Sequence, residues 1–178
     1  KTMAFGNRLI NTNAGGVDLI GSYLQGGIVT YVDPIDPTKG LVMALNNEPT
    51  TLQWLNTSYT NISTSDSMYY GSINTANIVA NQGVGNYAAY NCTQRTDGGY
   101  TDWFLPSTDE IRTASANFDA VQAGLAANGG EAMQGFYHWS SVEVNQYSAK
   151  SYIITNGVYV AQGKTGSYRV RPFRVFQL

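Results

Sequence analysis

Side chains able to do acid–base, nucleophilic or metal chemistry are few in this sequence. It contains one histidine, His138, and one cysteine, Cys92. A metal site built from several His or Cys ligands therefore cannot be assembled within the chain. His138 stands between two aromatic residues with no acid or base partner nearby in the sequence, which favours a structural histidine over a catalytic one. We predict a protein that is not an enzyme and has neither a cofactor nor a metal site.

Two further patterns resemble functional motifs but have simpler explanations. Asp109 and Glu110 follow Ser107, and a serine with glutamate three residues later is the capping box of a helix, whose first turn favours acidic side chains. The glycines of Gly83-Val84-Gly85 lack the third glycine of a dinucleotide-binding loop. Neither pattern predicts catalysis.

The composition excludes several classes of protein. Only 12% of the 178 residues are charged and the net charge is −2, whereas about 25% charged residues are usual. A nucleic-acid binder that depends on bulk positive charge is excluded. No apolar run approaches the roughly 18 residues of a membrane span, so we expect no membrane insertion. The 13 tyrosines, together with many Asn, Ser and Gly, are typical of extracellular recognition surfaces.

The first two thirds of the chain combine strands, loops and helices. Residues 27–33 and 40–45 are rich in β-branched or apolar side chains and predict two paired strands, and residues 56–72 predict a long loop. Residues 75–81 and 87–91 predict two short helices. One longer helix begins at the Ser107 cap, carries an apolar stripe and ends at 128–130; the stripe comprises Ile111, Ala114, Phe118, Val121 and Leu125.

The last third predicts strands at 136–142, 149–155, 158–163 and 168–176. Asn156-Gly157 is a strong hairpin signal between two of them. Pro172 lacks an N–H group, which predicts an edge strand or a bulge. We therefore predict an α+β fold: a single loop-rich domain at 22–178 with a twisted antiparallel sheet, one capped helix and short helices. Residues 1–21 are predicted to be a linker or docking segment.

Six segments in this order resemble one known family. They are GGIVTY at 26–31, GLVMA at 40–44, NTANI at 74–78, GYTDWFLPS at 99–107, WSSVE at 139–143 and VRPFR at 170–174. The series resembles the bacterial and phage domain family typified by the C-terminal domain of the Legionella collagen-like adhesin. The resemblance covers residues 22–176 and implies a C-type-lectin-like fold. It also implies a binding module at the tip of an adhesin or fibre, often trimeric, that recognises glycans or other surface ligands.

The chain departs from two relatives of that fold. The calcium-lectin tripeptides Glu-Pro-Asn, Gln-Pro-Asp and Trp-Asn-Asp do not occur in it. A related enzyme lineage, the formylglycine-generating sulfatase activators, uses cysteines, and this chain has Cys92 alone. Calcium-dependent sugar binding and that enzymatic activity therefore have no motif here.

A ligand would be bound by exposed loops on the rigid scaffold, and the loops between the closing strands are the candidates. Their aromatic faces can stack on sugar rings or peptide side chains, and their amides can bind hydroxyl groups. Ordinary alternation of polar side chains on a solvent-facing hairpin is the competing explanation. The predicted ligand-binding residues are Asn145, Gln146, Tyr147, Tyr152, Asn156, Tyr159, Gln162, Lys164 and Tyr168.

The charge distribution allows two interpretations of the C-terminal segment. After Glu143 the sequence contains basic residues and no acidic one; these are Lys150, Lys164, Arg169, Arg171 and Arg174. They predict either a basic face that attracts acidic or sulfated glycans or ion pairs with acids from upstream segments.

These observations lead to two functional hypotheses. The first is a non-enzymatic domain at the tip of a cell-surface or virion fibre. It would act outside the cell as a homotrimer and bind a glycan or protein receptor, with no nucleic-acid partner. The alternative is a structural fibre-cap or fimbrial module that binds only its own assembly partners.

Overall fold

Two main antiparallel sheets and a group of short helices make up the described part of the chain. The computed structural model describes residues 18–178 and, as backbone, two strands near the start, β1 (Thr2–Phe5) and β2 (Arg8–Asn11). These two strands pair with each other in antiparallel register. The role predicted for residues 1–21 falls in large part on positions outside the described residues.

The first main sheet contains β3 (Tyr23–Leu24), β4 (Gly27–Val32), β5 (Lys39–Ala44) and the last strand, β11 (Phe173–Gln177). Their order across the sheet is β11-β5-β4-β3, and all neighbours are antiparallel. The predicted pairing of the strands at 27–33 and 40–45 is confirmed. Every residue of β4 up to Thr30 is buried, because α3 and α4 contact the sheet on one face and Trp103 packs with Val29 and Val42 on the other.

The second main sheet contains β7 (Tyr137–Asn145), β8 (Ser148–Ile153) and β9 (Val158–Gly163), in the order β7-β8-β9. The hairpin predicted at Asn156-Gly157 is confirmed, and Gly157 has the positive φ of 73° that favours glycine. The connecting loop comprises residues 154–157. A separate two-stranded pair joins β6 (Leu52–Gln53) to β10 (Ser167–Tyr168).

The helices of residues 18–178 are α1 (Gly71–Gln82), α2 (Ala88–Thr93), α3 (Thr108–Ala116) and α4 (Phe118–Ala127), with a 3₁₀ turn at Asp97–Gly99. The predicted capping box is confirmed: Ser107 Oγ accepts the Glu110 N–H, and Glu110 Oε2 accepts the Ser107 N–H at 2.8 Å. The first predicted short helix is longer than expected, because α1 begins at Gly71 within the segment assigned to a loop.

The single long helix expected after Ser107 is wrong, because it breaks at Asn117. That residue has φ −113° and ψ 32°, outside the helical region. Its side-chain amide donates to the Thr30 carbonyl at 3.0 Å and to the Thr113 carbonyl at 3.2 Å. A hydrogen bond to another element thus replaces regular helix geometry at this point. The apolar stripe still faces the core on both helices.

The closing strand predicted at 168–176 is divided into β10 and β11. Residues 169–172 separate the two strands, and the last of them, Pro172, has no N–H to donate. As the proline indicated, β11 forms an edge of its sheet. Beside it the buried Arg171 side chain turns inward. Its guanidinium donates to the Ala44, Leu45 and Glu131 carbonyls and to Asn47 Oδ1.

The core lies between the sheets and the helices. Trp54, Trp103 and Trp139 are each at most 2% exposed, and Leu105 is fully buried. Trp103, Leu105 and Trp139 come from the sequence motifs and therefore explain the fold rather than a ligand site. The α+β class with twisted antiparallel strands, short helices and many loops is confirmed for residues 18–178.

Candidate ligand-binding tip

The predicted ligand-binding residues do not form one surface. Asn145 is the last residue of β7, and Gln146 and Tyr147 form the turn to β8, whereas Asn156 lies in the loop between β8 and β9. These connections are at opposite ends of β8, a strand of six residues, and such a strand spans about 20 Å. A small ligand at one end therefore does not reach the other.

The β7–β8 turn brings Tyr147 beside Tyr59, a residue that was not among the predicted ligand contacts. The side chains are 59% and 45% exposed. Their ring centroids are 5.2 Å apart and the planes meet at 67°. We call these two residues the tyrosine pair. Tyr59 was missed because its partner is distant in sequence; the only local signal was an aromatic residue within the polar stretch NTSYTN.

Lys164, predicted to contact a ligand, is fully buried, and the prediction is wrong in this respect. Its Nζ lies 2.7 Å from Glu143 Oε2 and donates to the Thr60 carbonyl at 3.1 Å. Its backbone N–H donates to the Tyr147 carbonyl at 2.9 Å. Burial is tolerated because an opposite charge is in direct contact. Lys164 therefore connects the two segments that carry the tyrosine pair.

Glu143 completes this connection from β7. Both of its carboxylate oxygens lie 3.0 Å from the Ile62 N, which donates to them, and its own N–H donates to Thr64 Oγ1 at 2.8 Å. Only 7% of the Glu143 side chain is exposed. The buried ion pair therefore holds residues 60–64 against the end of the second sheet.

The turn that carries Tyr147 is fixed by Asn145. The Asn145 Oδ1 accepts the N–H groups of Tyr147 and Ser148 at 2.8 and 3.0 Å. This local bonding is the usual way in which asparagine stabilises a turn. Asn145 is exposed and Gln146 is partly exposed, and both directly precede Tyr147 in the chain.

The opposite end of β8 has a different character. Asn156 is exposed and its Oδ1 accepts the Val158 N–H at 3.2 Å. Tyr159 is 52% exposed, and Lys150 Nζ lies 4.5 Å from its ring centroid. Tyr152, the cross-strand partner of Tyr159, is fully buried. Its prediction as a ligand contact is therefore wrong: it belongs to the core cluster that contains Ile111 of α3.

Gln162 lies opposite Ala149, near the β7–β8 turn, and its side chain forms a hydrogen bond with Tyr168. The Tyr168 hydroxyl donates to Gln162 Oε1 at 3.0 Å. The Tyr168 ring packs edge to face against the buried Trp139, with centroids 4.9 Å apart. Both residues are partly buried, and Tyr168 supports the core from the outside.

A basic face is not present among the C-terminal residues, and that interpretation is wrong. Lys150 pairs with Asp66 at 2.7 Å, Arg169 with Glu131 at 2.8 Å and Arg174 with Asp102 at 2.7 Å. Lys164 is paired as described above, and Arg171 is enclosed by carbonyl groups. The alternative interpretation, pairing with acids from upstream segments, is confirmed.

The remaining titratable groups of chemical interest are buried. Burial, with the nearby Arg171 charge as a second cause, lowers the pKa of His138 to about 4. Its Nδ1 lies 2.9 Å from the Phe136 carbonyl. Burial raises the pKa of the Cys92 thiol. Within the described ranges, no three His, Cys, Asp or Glu side chains lie close enough together to hold a metal ion.

None of the helices in the described part of the chain combines the length and apolarity needed to cross a bilayer. No family model matches the chain, and no curated protein matches it. The fold is similar to the crystal structure of a fimbrial protein from Bacteroides ovatus ATCC 8483, with a TM-score of 0.53 and 19% sequence identity. The match covers 77% of this chain and 35% of that protein, so the chain spans about a third of its length.

Proposed function

We propose that this chain is a non-enzymatic module of an extracellular surface fibre of the fimbrial kind, held there by contacts with its own assembly partners. The observation that carries the proposal is the structural similarity to a fimbrial protein over 77% of the chain. Because that protein is considerably longer, this chain corresponds to one part of such a component.

The fate of the polar side chains supports a structural role. His138, Cys92 and Glu110 are buried, and four of the basic residues near the end of the chain are bound in ion pairs. Catalysis needs an acid, base or nucleophile that can reach a substrate. In this protein His138, Cys92 and Glu110 are buried away from solvent, and the ion pairs join separate segments of the fold, which supports a structural module.

A second candidate function is receptor binding at the tip of such a fibre or of a virion fibre. The exposed tyrosine pair favours it, since exposed aromatic side chains are enriched in binding sites. We propose that the C-type-lectin-like resemblance and a homotrimeric state belong to this function. Several copies of a weak site would then act together on a glycan or protein receptor.

The fibre proposal is tested by locating the full-length protein in the organism that produces it. Surface fibres are sheared from intact cells and sedimented, and the chain is detected in the fractions. We expect it in the fibre fraction, with cross-links to other fibre components. Detection in the interior of the cell would contradict the proposal. Co-sedimentation with virions would instead identify a phage fibre, and light scattering of the purified protein measures the number of subunits.

A further inference from the structure

We propose that the tyrosine pair is the binding site for a neutral saccharide ring. This inference rests on the receptor-binding function proposed above and names its ligand class. It does not require that the chain be part of a fimbrial fibre. The site consists of Tyr59 and Tyr147 with the exposed or partly exposed polar residues next to them in the chain, which are Thr57, Ser58, Asn61, Asn145 and Gln146.

The geometry of the two rings suits a ring-shaped ligand. The planes meet at 67° with centroids 5.2 Å apart, so the rings form a corner rather than a flat stack. About half of each side chain is open, at 45% and 59% exposure. A pyranose has one face made of C–H groups, which can cover one tyrosine ring while its edge meets the other. The hydroxyl groups on the edge of the sugar then point towards neighbouring polar side chains.

The neighbouring side chains select for a ligand without charge. Residues 56–61 (NTSYTN) and 144–148 (VNQYS) supply amides and hydroxyls and contain no charged side chain. The ion pair beneath them, Lys164 with Glu143, is buried and joins one positive to one negative group. A sulfated or carboxylated glycan would therefore find no unpaired cation in these segments. Asn and Gln amides, in contrast, both donate to and accept from sugar hydroxyls.

The two segments are held in place before a ligand arrives. Lys164 binds the Thr60 carbonyl through Nζ and the Tyr147 carbonyl through its backbone N–H. Asn145 fixes the turn on one side, and Glu143 fixes Ile62 on the other. A preorganised site loses less conformational entropy on binding, which favours a small ligand.

The opposite end of β8 lacks these properties. Among residues 18–178 no second tyrosine ring packs against that of Tyr159, and the Lys150 ammonium lies 4.5 Å from its ring centroid. Lys150 is itself paired with Asp66. Tyr147 and Tyr159 were both predicted from the sequence to bind the ligand, but in the structure Tyr147 packs against Tyr59 instead.

The test measures binding of the purified full chain to immobilised neutral oligosaccharides of glucose, galactose, mannose and N-acetylhexosamines. Matched sulfated oligosaccharides and a set of uncharged peptides serve as separate arms. The variants are Tyr59→Ala and Tyr147→Ala. Tyr23→Ala is the matched control, since Tyr23 is an exposed tyrosine on the other main sheet. Circular dichroism and thermal unfolding verify that each variant is folded.

We expect at least one neutral saccharide to bind. Its affinity should be reduced at least tenfold in Tyr59→Ala and in Tyr147→Ala and should be unchanged in Tyr23→Ala. Ring resonances of Tyr59 and Tyr147 should shift on titration with the same saccharide. Three outcomes would overturn the inference. They are binding to sulfated sugars or peptides only, saccharide binding that is unchanged in both Tyr59→Ala and Tyr147→Ala, and no saccharide binding by the folded protein. The last outcome leaves the fibre proposal intact, because that proposal is measured by sedimentation with fibres.

Discussion

Lys164 Nζ lies 2.7 Å from Glu143 Oε2, and the two side chains are 0% and 7% exposed. This is the most deeply buried ion pair among the described residues. The lysine also lies 4.5 Å from the Trp54 ring centroid, where a cation is favourable. One side chain thus joins the end of the second sheet, the loop after β9 and the segment that carries Tyr59.

Replacing Lys164 by methionine should strongly destabilise the protein. The change leaves the Glu143 carboxylate buried without its cation, and breaking a buried pair in this way typically lowers the free energy of unfolding by about 3–5 kcal/mol. Urea unfolding at pH 7 measures the effect. The control is Arg112→Met, because the Arg112 and Asp109 side chains are 56% and 31% exposed and such pairs contribute below about 1 kcal/mol. Equal effects of the two substitutions on the free energy of unfolding would show that the buried pair does not stabilise the fold more than the exposed pair does.

His138 should make the folded state less stable in acid. Its pKa is about 4 in the folded protein against an ordinary value of 6.5. The unfolded chain therefore takes up the proton first as the pH falls. The contribution of His138 to the free energy of unfolding is complete above pH 6.5. It is lost as the pH drops towards 4, and the loss amounts to up to about 3 kcal/mol. The difference in unfolding free energy between wild type and His138→Gln should narrow across this window; a constant difference would contradict the pKa.

Glu110 should have the opposite pH dependence. Burial raises its pKa from 4.5 to about 7. The hydrogen bonds that its carboxylate accepts from the Ser107 and Gly71 N–H groups lower the pKa and offset part of this effect. The folded state keeps the proton that the unfolded chain releases, so stability falls as the pH rises from 4.5 to 7, by up to about 3 kcal/mol. In Glu110→Gln this fall should disappear. A wild-type slope unaltered by the substitution would assign the titration to another group.

The two titrations oppose each other over nearly the same range of pH. Between about pH 4.5 and 6.5 the histidine contribution rises with pH while that of the glutamate falls. The wild-type protein should therefore show only a weak pH dependence there, and each single variant a steeper one. Unfolding midpoints of the wild type and both variants at pH 4.5, 5.5 and 6.5 test this directly.

Gly124→Ala should destabilise the contact between α4 and the first sheet. A methyl group at this position would overlap the Gly21 carbonyl oxygen and lie 3.0 Å from Ile28 Cγ2. Overpacking of this kind typically lowers stability by about 1–3 kcal/mol. Gly163→Ala is the matched control, since no atom lies within 4 Å of the added methyl group. In thermal unfolding, the midpoint of Gly124→Ala should lie below that of the wild type, whereas the midpoint of Gly163→Ala should not. An unchanged midpoint for Gly124→Ala would contradict the close packing.

The features predicted correctly from the sequence depend on neighbouring residues. The Ser107–Glu110 capping box and the hairpin around Gly157 each need only a few consecutive positions. The break at Asn117 was missed because its cause, the Thr30 carbonyl, is distant in the chain. Alternation did not reveal the burial of Tyr152 and Lys164, since both faces of β8 are covered and a paired charge can lie in the interior. The tyrosine pair depends on a contact between two loops, which one sequence alone does not specify.

The position of β11 in the sequence determines how late the first sheet can finish folding. This strand is the last in the chain, yet it pairs with β5 from the first third, with Phe173 opposite Met43 and Gln177 opposite Lys39. During translation the first sheet stays one strand short until residue 177 has left the ribosome. More than a hundred residues are synthesised after β4 and β5 before β11 is available to pair with β5. Non-local strand pairing of this kind folds slowly and exposes apolar surface to aggregation. A chain shortened before β11 would keep the β4–β5 pairing but would leave the other edge of β5 unpaired.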